Sequence, residues 1–599
     1  MALRIEDYAM IGDTESGALV GRDGSIDWLC APRFDSPAFF AALLGTPANG
    51  HWQIAPVGDV RRVERRYRAG TLVLETDFET DDGVVRLVDC MPPQDGHVDV
   101  VRVVEGVRGR VAMRMQLSPR FDYGRLIPSL GRVAQGLIAV AGPDALRLST
   151  PVDLQTEAGT AAATFTVSGG DRLPFRLVWY PSHQPPPEPG ESFDMVARTE
   201  AWWREWSGRC RYTGPYRDDV LRSLITLKAL TYSPTGGIVA ALTTSLPEEI
   251  GGVRNWDYRY CWLRDGAFTI GPLVRMGYMD EALAWRDWLL RAVAGDPGQL
   301  QLMYGIGGEH RLTELELPWL SGYEGSRPVR VGNAAYHQFQ LDIFGEVLGV
   351  LYRARQAGLP DRDPARFPGV DVATAVEIVE RRWREPDEGI WEIRGRRQHF
   401  TFSKVSAWTA VDRAIRLSED AGRAAPLERW RRLRDEIHAE VCAKGFDAKR
   451  NTFVQYYGAT GLDASLLLIP ISGFLPPQDP RVLGTIEAIQ REICSGPLVW
   501  RYATEEGVDG LAGHEGTFLI CSFWLVSALA LAGRLDEAQR NLEQLLALRN
   551  DVGLLSEEYD PVGRRLLGNF PQAFSHIGLL HSILTIAAIR QDAPAPEVR

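Results

Sequence analysis

Two regimes of hydrophobic patterning divide this chain. Up to about residue 190 apolar positions recur every second residue between turn residues, and beyond about 216 they recur at helical spacing. In the first regime Thr71–Glu79 alternates, Asp81-Asp82-Gly83 supplies a turn and Val84–Asp89 returns, the signature of a β-hairpin. Val98–Val104, Arg110–Leu117, Leu137–Val140, Ala161–Val167 and Phe175–Trp179 repeat the theme, separated by Gly, Pro and Asp, as in a multi-stranded antiparallel sandwich. Pro185-Pro-Pro-Glu-Pro-Gly190 then breaks the pattern, because consecutive prolines continue neither sheet nor helix.

The segment Asp194–Ser207, with Met195, Val196, Trp202, Trp203 and Trp206, predicts a connecting helix whose aromatics pack between two domains. Helical patterning follows near 217–232, 265–276, 280–294, 333–356, 370–384, 404–421, 426–443, 463–471, 480–494, 516–532, 535–548 and 572–590. Gly277 before Asp280 and Gly533 before Asp536 punctuate two similar helix-to-helix turns. Gly516–Leu531 is apolar almost all round and belongs inside, whereas Pro426–Val441, rich in Arg and Glu, belongs outside. Periodicity alone therefore gives a multidomain β plus all-α protein. Its parts are a β-sandwich over 1–190, a linker helix within 191–215, a large helical domain over 216–591 and a tail over 592–599.

Composition narrows the partners. The 599 residues, 45% hydrophobic and 24% charged, are those of an ordinary globular protein. A net charge of -12 without a basic block argues against nucleic acid and anionic membranes and suits a neutral ligand. Seven cysteines without close pairs or metal-ligand spacing predict free thiols and a cytoplasmic location. Glu6 and Asp7 stand where an export signal needs a basic flank and an apolar run. No apolar run in the sequence has the expected length of a membrane span.

Candidate chemistry centres on two acidic stretches. In Gly389–Lys404, GIWEIRGRRQHFTFSK, Glu392 follows Trp391, and a carboxyl held against an aromatic face loses water and is pushed toward the range of a general acid. In Leu554–Ser575, Glu557 and Glu558 precede a Pro/Gly turn and the last apolar helix. A pair of carboxyls is the usual equipment for glycoside hydrolysis. A third stretch, Arg254–Asp265 (RNWDYRYCWLRD), crowds cations, anions and aromatics just before a helix; Asp265 reads equally well as a helix N-terminal acid paired with Arg264. The glycine-bearing loops match neither a dinucleotide fingerprint, a P-loop nor a nucleophile elbow.

These segments, together with the opening IEDYAMIGDTESGALVGRDGSIDWL, resemble glycoside hydrolase family 15, the inverting glucoamylases and the bacterial and archaeal trehalases. The resemblance implies a closed (α/α)6 barrel behind the sandwich, with the site at one mouth. It implies Glu392 as acid, Glu557 as base, and Arg264 and Asp265 as the holders of the terminal glucose. Trp391, Arg501, Tyr323, Arg327 and His399 are further pocket candidates, as are the His514–Thr517 segment and, from the N-terminal domain, Phe34 or Asp35. The chain departs from the fungal glucoamylase pattern at Glu558, where those enzymes often have Gln, and no starch-binding extension follows Gln591. The expected activity is thus inverting, exo-acting hydrolysis of a small α-glucoside, with trehalose favoured over maltose, isomaltose or longer glucans. No cofactor or metal is expected, and self-association is left open. A sugar-binding protein that has kept the fold is the reading from another class.

Overall fold

The computed structural model describes residues 2–93, 97–188, 190–359, 372–422, 424–504 and 507–591. The predicted tail, 592–599, lies outside the described residues.

In the N-terminal part, two antiparallel sheets share one strand. The separate runs expected at 98–104 and 110–117 are a single strand, Val98–Ser118. Its first half pairs with Gly83–Cys90 and Arg172–Pro181, and its second with His51–Pro56 and Thr160–Ser168. Glycines permit the crossing: a Cβ on Gly106 would lie 2.0 Å from the Ser168 carbonyl oxygen, and Gly109 has φ +75°. Alternation sets the register, so that Leu87 and Leu177 face the strand at Val104 and Val100 and are buried with them.

The strand Arg172–Pro181 closes the sandwich, and the prolines that follow are pinned by Arg147 and Arg176, which donate to the carbonyls of Pro187 and Glu188. The connecting helix α1 (Ser192–Gly208) buries Trp203 and Trp206; Trp206 stacks on Tyr278 and donates to Glu281 of the helical part.

Helices α2 (Arg217–Ala229), α3 (Leu263–Met276), α4 (Met279–Ala292), α5 (Asp342–Gln356), α6 (Val372–Arg382), α7 (Thr401–Asp420), α8 (Leu427–Lys444), α9 (Leu468–Ser472), α10 (Pro480–Glu492), α11 (Leu519–Leu531), α12 (Leu535–Leu546) and α13 (Ala573–Arg590) form a double ring. The inner helices meet in the order α3, α5, α7, α9, α11, α13 and back to α3, and the other six pack outside them. Sequence dictates the layering. α11 is buried on every side but its end, whereas α8 buries only Trp430, Leu433, Ile437 and Val441, one stripe at helical spacing. α13 is long and apolar enough to cross a bilayer, a length the sequence reading did not expect, yet 83% of it is buried in the ring. The helix expected from 333 begins at Asp342, because Ala334–His337 forms a separate 3-10 turn capped by Asn333.

Side chains from both sides brace the sandwich against the ring. Trp28 donates to the Leu242 carbonyl at 3.0 Å, Tyr323 to that of Leu3 at 3.0 Å, and the buried Arg65 guanidinium pairs with Asp551. Arg259, paired with Asp257 at 2.6 Å, reaches the Ser36 carbonyl and lies over Trp28 and Tyr123. The loop that leads into α3 is therefore seated on the N-terminal domain.

Candidate active site

The first turns of α3 and α5 and the loop segments 389–395, 501–504, 507–518 and 555–572 converge at one mouth of the ring. Arg264 and Asp265 stand in the first turn of α3 and Asp342 in that of α5, where helix N-terminal partial charge favours carboxylates. Glu392 sits on a strained loop. Its φ is +52°, a left-handed conformation costing a non-glycine residue roughly 1–2 kcal/mol. The Gln338 amide holds it there by donating to the carbonyls of Glu392 and Ile393.

Glu392 Oε1 accepts from Trp262 Nε1 at 3.2 Å and from Arg264 Nη2 at 3.1 Å. The aromatic partner of the Glu392 carboxylate is thus Trp262 rather than the adjacent Trp391. Trp391 instead turns its Nε1 to Asp463 at 3.0 Å and packs on Phe518 and Trp524, anchoring the loop while one face lines the cavity. Arg264 also donates to the Ile390 carbonyl at 2.9 Å, so one guanidinium fixes both the loop and its carboxylate.

Two lobes of a small cavity meet at Glu392. The inner lobe is lined by Arg264, Asp265, Phe518, Gln572 and Phe574, and the outer by Glu248, Trp256, Asn333, Arg394 and Tyr502; both share Tyr258, Trp262, Trp391, Glu392 and Arg501. In the inner lobe Asp265 is buried, and its Oδ1 makes no hydrogen bond to a described residue. Burial raises Asp265 to about 7 against the pull of Arg264. An acceptor and a cation without full protein partners in an aromatic-walled recess suit sugar hydroxyls.

Glu557 is fully buried behind this wall. Its Oε2 accepts from the Asn569 N–H at 3.0 Å, and Oε1 has no hydrogen bond among the described residues. Burial first, then the charge of Glu248, lifts it to about 8, opposed by the Asn569 N–H, Arg501 and the Tyr258 hydroxyl. Gly568 makes room: at φ +70°, its Cβ would fall 2.5 Å from Glu557 Oε2.

Arg501 does line both lobes, but its guanidinium is taken up by Glu515 and by Glu248 at 2.6 Å, with Glu558 at 3.7 Å. Glu248, Glu515 and Glu558 bring carboxylate oxygens within 4.8 Å of one another, as a metal site would. Arg501 already supplies the cation at that place.

Three predicted pocket residues lie elsewhere. Tyr323 is fully buried against Leu3 and Arg565, Arg327 is exposed and donates to the Ser321 carbonyl, and His399 stacks on Tyr457. Phe34 packs against Tyr232, and Asp35 pairs with Arg33. None of these five lines either lobe. Sequence reasoning missed Tyr258, Trp262 and Asp342; the first two were visible as part of the dense stretch before α3, and Asp342 as an acid in a helix first turn. Glu248 carried no local signal at all.

A closed double ring of helices with carboxyls gathered in an aromatic-walled recess at one mouth is the architecture of a glycoside hydrolase. The profile of glycosyl hydrolases family 15 matches residues 214–584, and that of the trehalase-like N-terminal domain matches 1–174. The chain belongs to family 15. It is 41% identical to a trehalase of Mycobacterium tuberculosis over 98% of this chain and 90% of that protein. It is 36% identical to a trehalase of Thermoplasma acidophilum over 94% of this chain and 97% of that one. A bacterial glucoamylase solved with acarbose shares the fold, with TM-score 0.73 over 100% of this chain and 95% of that one at 12% identity.

Proposed function

We propose that this chain hydrolyses trehalose in one displacement with inversion. Glu392 gives its proton to the oxygen joining the two glucose units as that bond breaks. Glu557 takes a proton from a water whose oxygen attacks the anomeric carbon from the opposite face. One glucose leaves with its α configuration, and the attacked unit appears as β-glucose. Arg264 and Asp265 hold the terminal unit in the inner lobe. The observation that carries the hydrolytic reading is Glu392, tethered by Trp262 and Arg264 where the two lobes meet. Trehalose is favoured because relatives named trehalases align along nearly the whole chain.

The test is to assay trehalose, maltose, isomaltose and maltotriose for released glucose and to follow the first turnovers on trehalose by NMR. Equal initial amounts of α- and β-glucose are expected. Two α-glucose molecules per turnover reject the water-activating role of Glu557, and inactivity on all four sugars favours a binding protein.

A further inference from the structure

A disaccharide whose bridging oxygen sits at Glu392 must put one ring in each lobe. The inner lobe holds Arg264 and Asp265, proposed above to bind the terminal glucose, which leaves the outer lobe for the sugar that departs. Resting on the proposed hydrolysis, we infer that Arg394 is the specificity-determining residue for the leaving sugar, gripping its hydroxyls from the wall of the outer lobe.

Arg394 is built to be rigid. Its guanidinium lies 4.9 Å from the centre of the Trp256 ring, and its Nη2 donates to Glu314 Oε2 at 3.1 Å. Glu314 is itself fixed: Oε2 accepts from the Ala334 N–H at 3.0 Å, and Oε1 lies 3.6 Å from Arg330, which covers the same indole at 4.5 Å. The backbone is equally constrained. Arg394 N donates to the Asp509 carbonyl at 2.8 Å. The next residue, Gly395, meets the 508–510 loop so closely that a Cβ would fall 2.3 Å from the Val508 carbonyl oxygen. A planar fork of five donors fixed in this way loses little freedom when it binds.

Yet the fork is not used up. Apart from the bond to Glu314, the Arg394 guanidinium donates to no described residue, and its side chain remains 25% exposed in the lobe. Arg501, another cation there, is committed to Glu515 and Glu248, and Arg254, ion-paired with Asp509 at 2.7 Å, is buried, its side chain 1% exposed. Two parallel N–H groups match a pair of adjacent hydroxyls on a pyranose ring, and they discriminate against sugars or linkages that turn those hydroxyls away.

The experiment compares two substrates that share the inner ring. Trehalose fills both lobes, whereas α-glucosyl fluoride has a one-atom leaving group and places no sugar in the outer lobe. For Arg394→Ala the ratio of kcat/KM on trehalose to that on the fluoride should fall tenfold or more, and Arg394→Lys, which keeps the charge but not the fork, should fall in the same direction. The lysine variant keeps the inference refutable should the alanine variant fail to fold. An unchanged ratio in a folded variant, with both substrates losing equally, overturns it, because Arg394 then acts only through the loop that carries Glu392. If the wild type leaves trehalose intact but cleaves another α-linked glucose disaccharide, the proposed function fails, and the same ratio measured on that sugar still decides the role of Arg394.

Discussion

Arg264 donates to Glu392 at 3.1 Å although 128 positions separate them in the chain. The residue proposed to hold the terminal sugar therefore also orients the proposed acid, and it does so from the first turn of α3, the helix that the N-terminal domain supports through Arg259 and Trp28.

Arg264→Ala should accordingly damage binding and chemistry together. Removing it unpairs Glu392, frees the Ile390 carbonyl and leaves Asp265 and Asp342 without their nearest cation. A loss of about 2–4 kcal/mol in transition-state stabilisation is expected, read from kcat/KM, together with a lower Tm. Unaltered kcat/KM would remove Arg264 from the site.

The two carboxyls should fail in different ways. Glu392→Gln and Glu557→Gln should each lose roughly two or more orders of magnitude in kcat on trehalose. α-Glucosyl fluoride needs little proton assistance and should partly restore the Glu392 variant, while azide, a nucleophile that needs no base, should partly restore the Glu557 variant. Rescue in the reverse pattern would exchange the two roles.

A base must be ionised to work, so the lifted Glu557 should place the acid limb of the kcat/KM profile above the ordinary glutamate range. The limb belongs to the carboxylate cluster as a whole. Glu248→Gln removes the charge that contributes most after burial, so the limb should move to lower pH; movement upward contradicts this account.

Stability carries the same signature. Glu557 titrates at about 8 in the folded chain and at 4.5 when unperturbed. Between those values the unfolded state has released its proton and the folded state has not, so this group makes stability fall as pH rises from about 4.5 to about 8. Denaturant titrations across that window should show a shallower decline for Glu557→Gln than for wild type.

The interface between sandwich and ring offers an independent check. Asp551→Ala leaves the fully buried Arg65 guanidinium with only backbone carbonyl acceptors and no counter-charge, and should cost about 2–4 kcal/mol. Urea midpoints of wild type and variant measure it.

Much of this architecture was written in local patterning. Alternation before residue 190 and helical stripes after 216 specify the two halves, because each element must bury one face. The ends of elements were harder: Asn333 caps a 3-10 turn that mimics the start of α5, and the twin runs flanking Gly106 and Gly109 are one bent strand. Within the site, residues carried on one short stretch, such as Arg264 and Asp265, were legible together. Partnerships across the fold were not. Nothing near Trp391 announces Asp463, and nothing near Tyr323 announces the carbonyl of Leu3, so one indole was assigned to the wrong neighbour and one phenol to the wrong place.

The seam between α3 and α13 bears on the birth of the enzyme. The ring closes only when the last of its inner helices reaches the first, and Glu557 lies just ahead of that final helix. A ribosome that has already delivered Glu392 still has Glu557 and the closing helix to make. Hydrolysis therefore begins only after nearly the whole polypeptide has been synthesised, and a nascent chain stalled before α13 is inert however well its sandwich has folded.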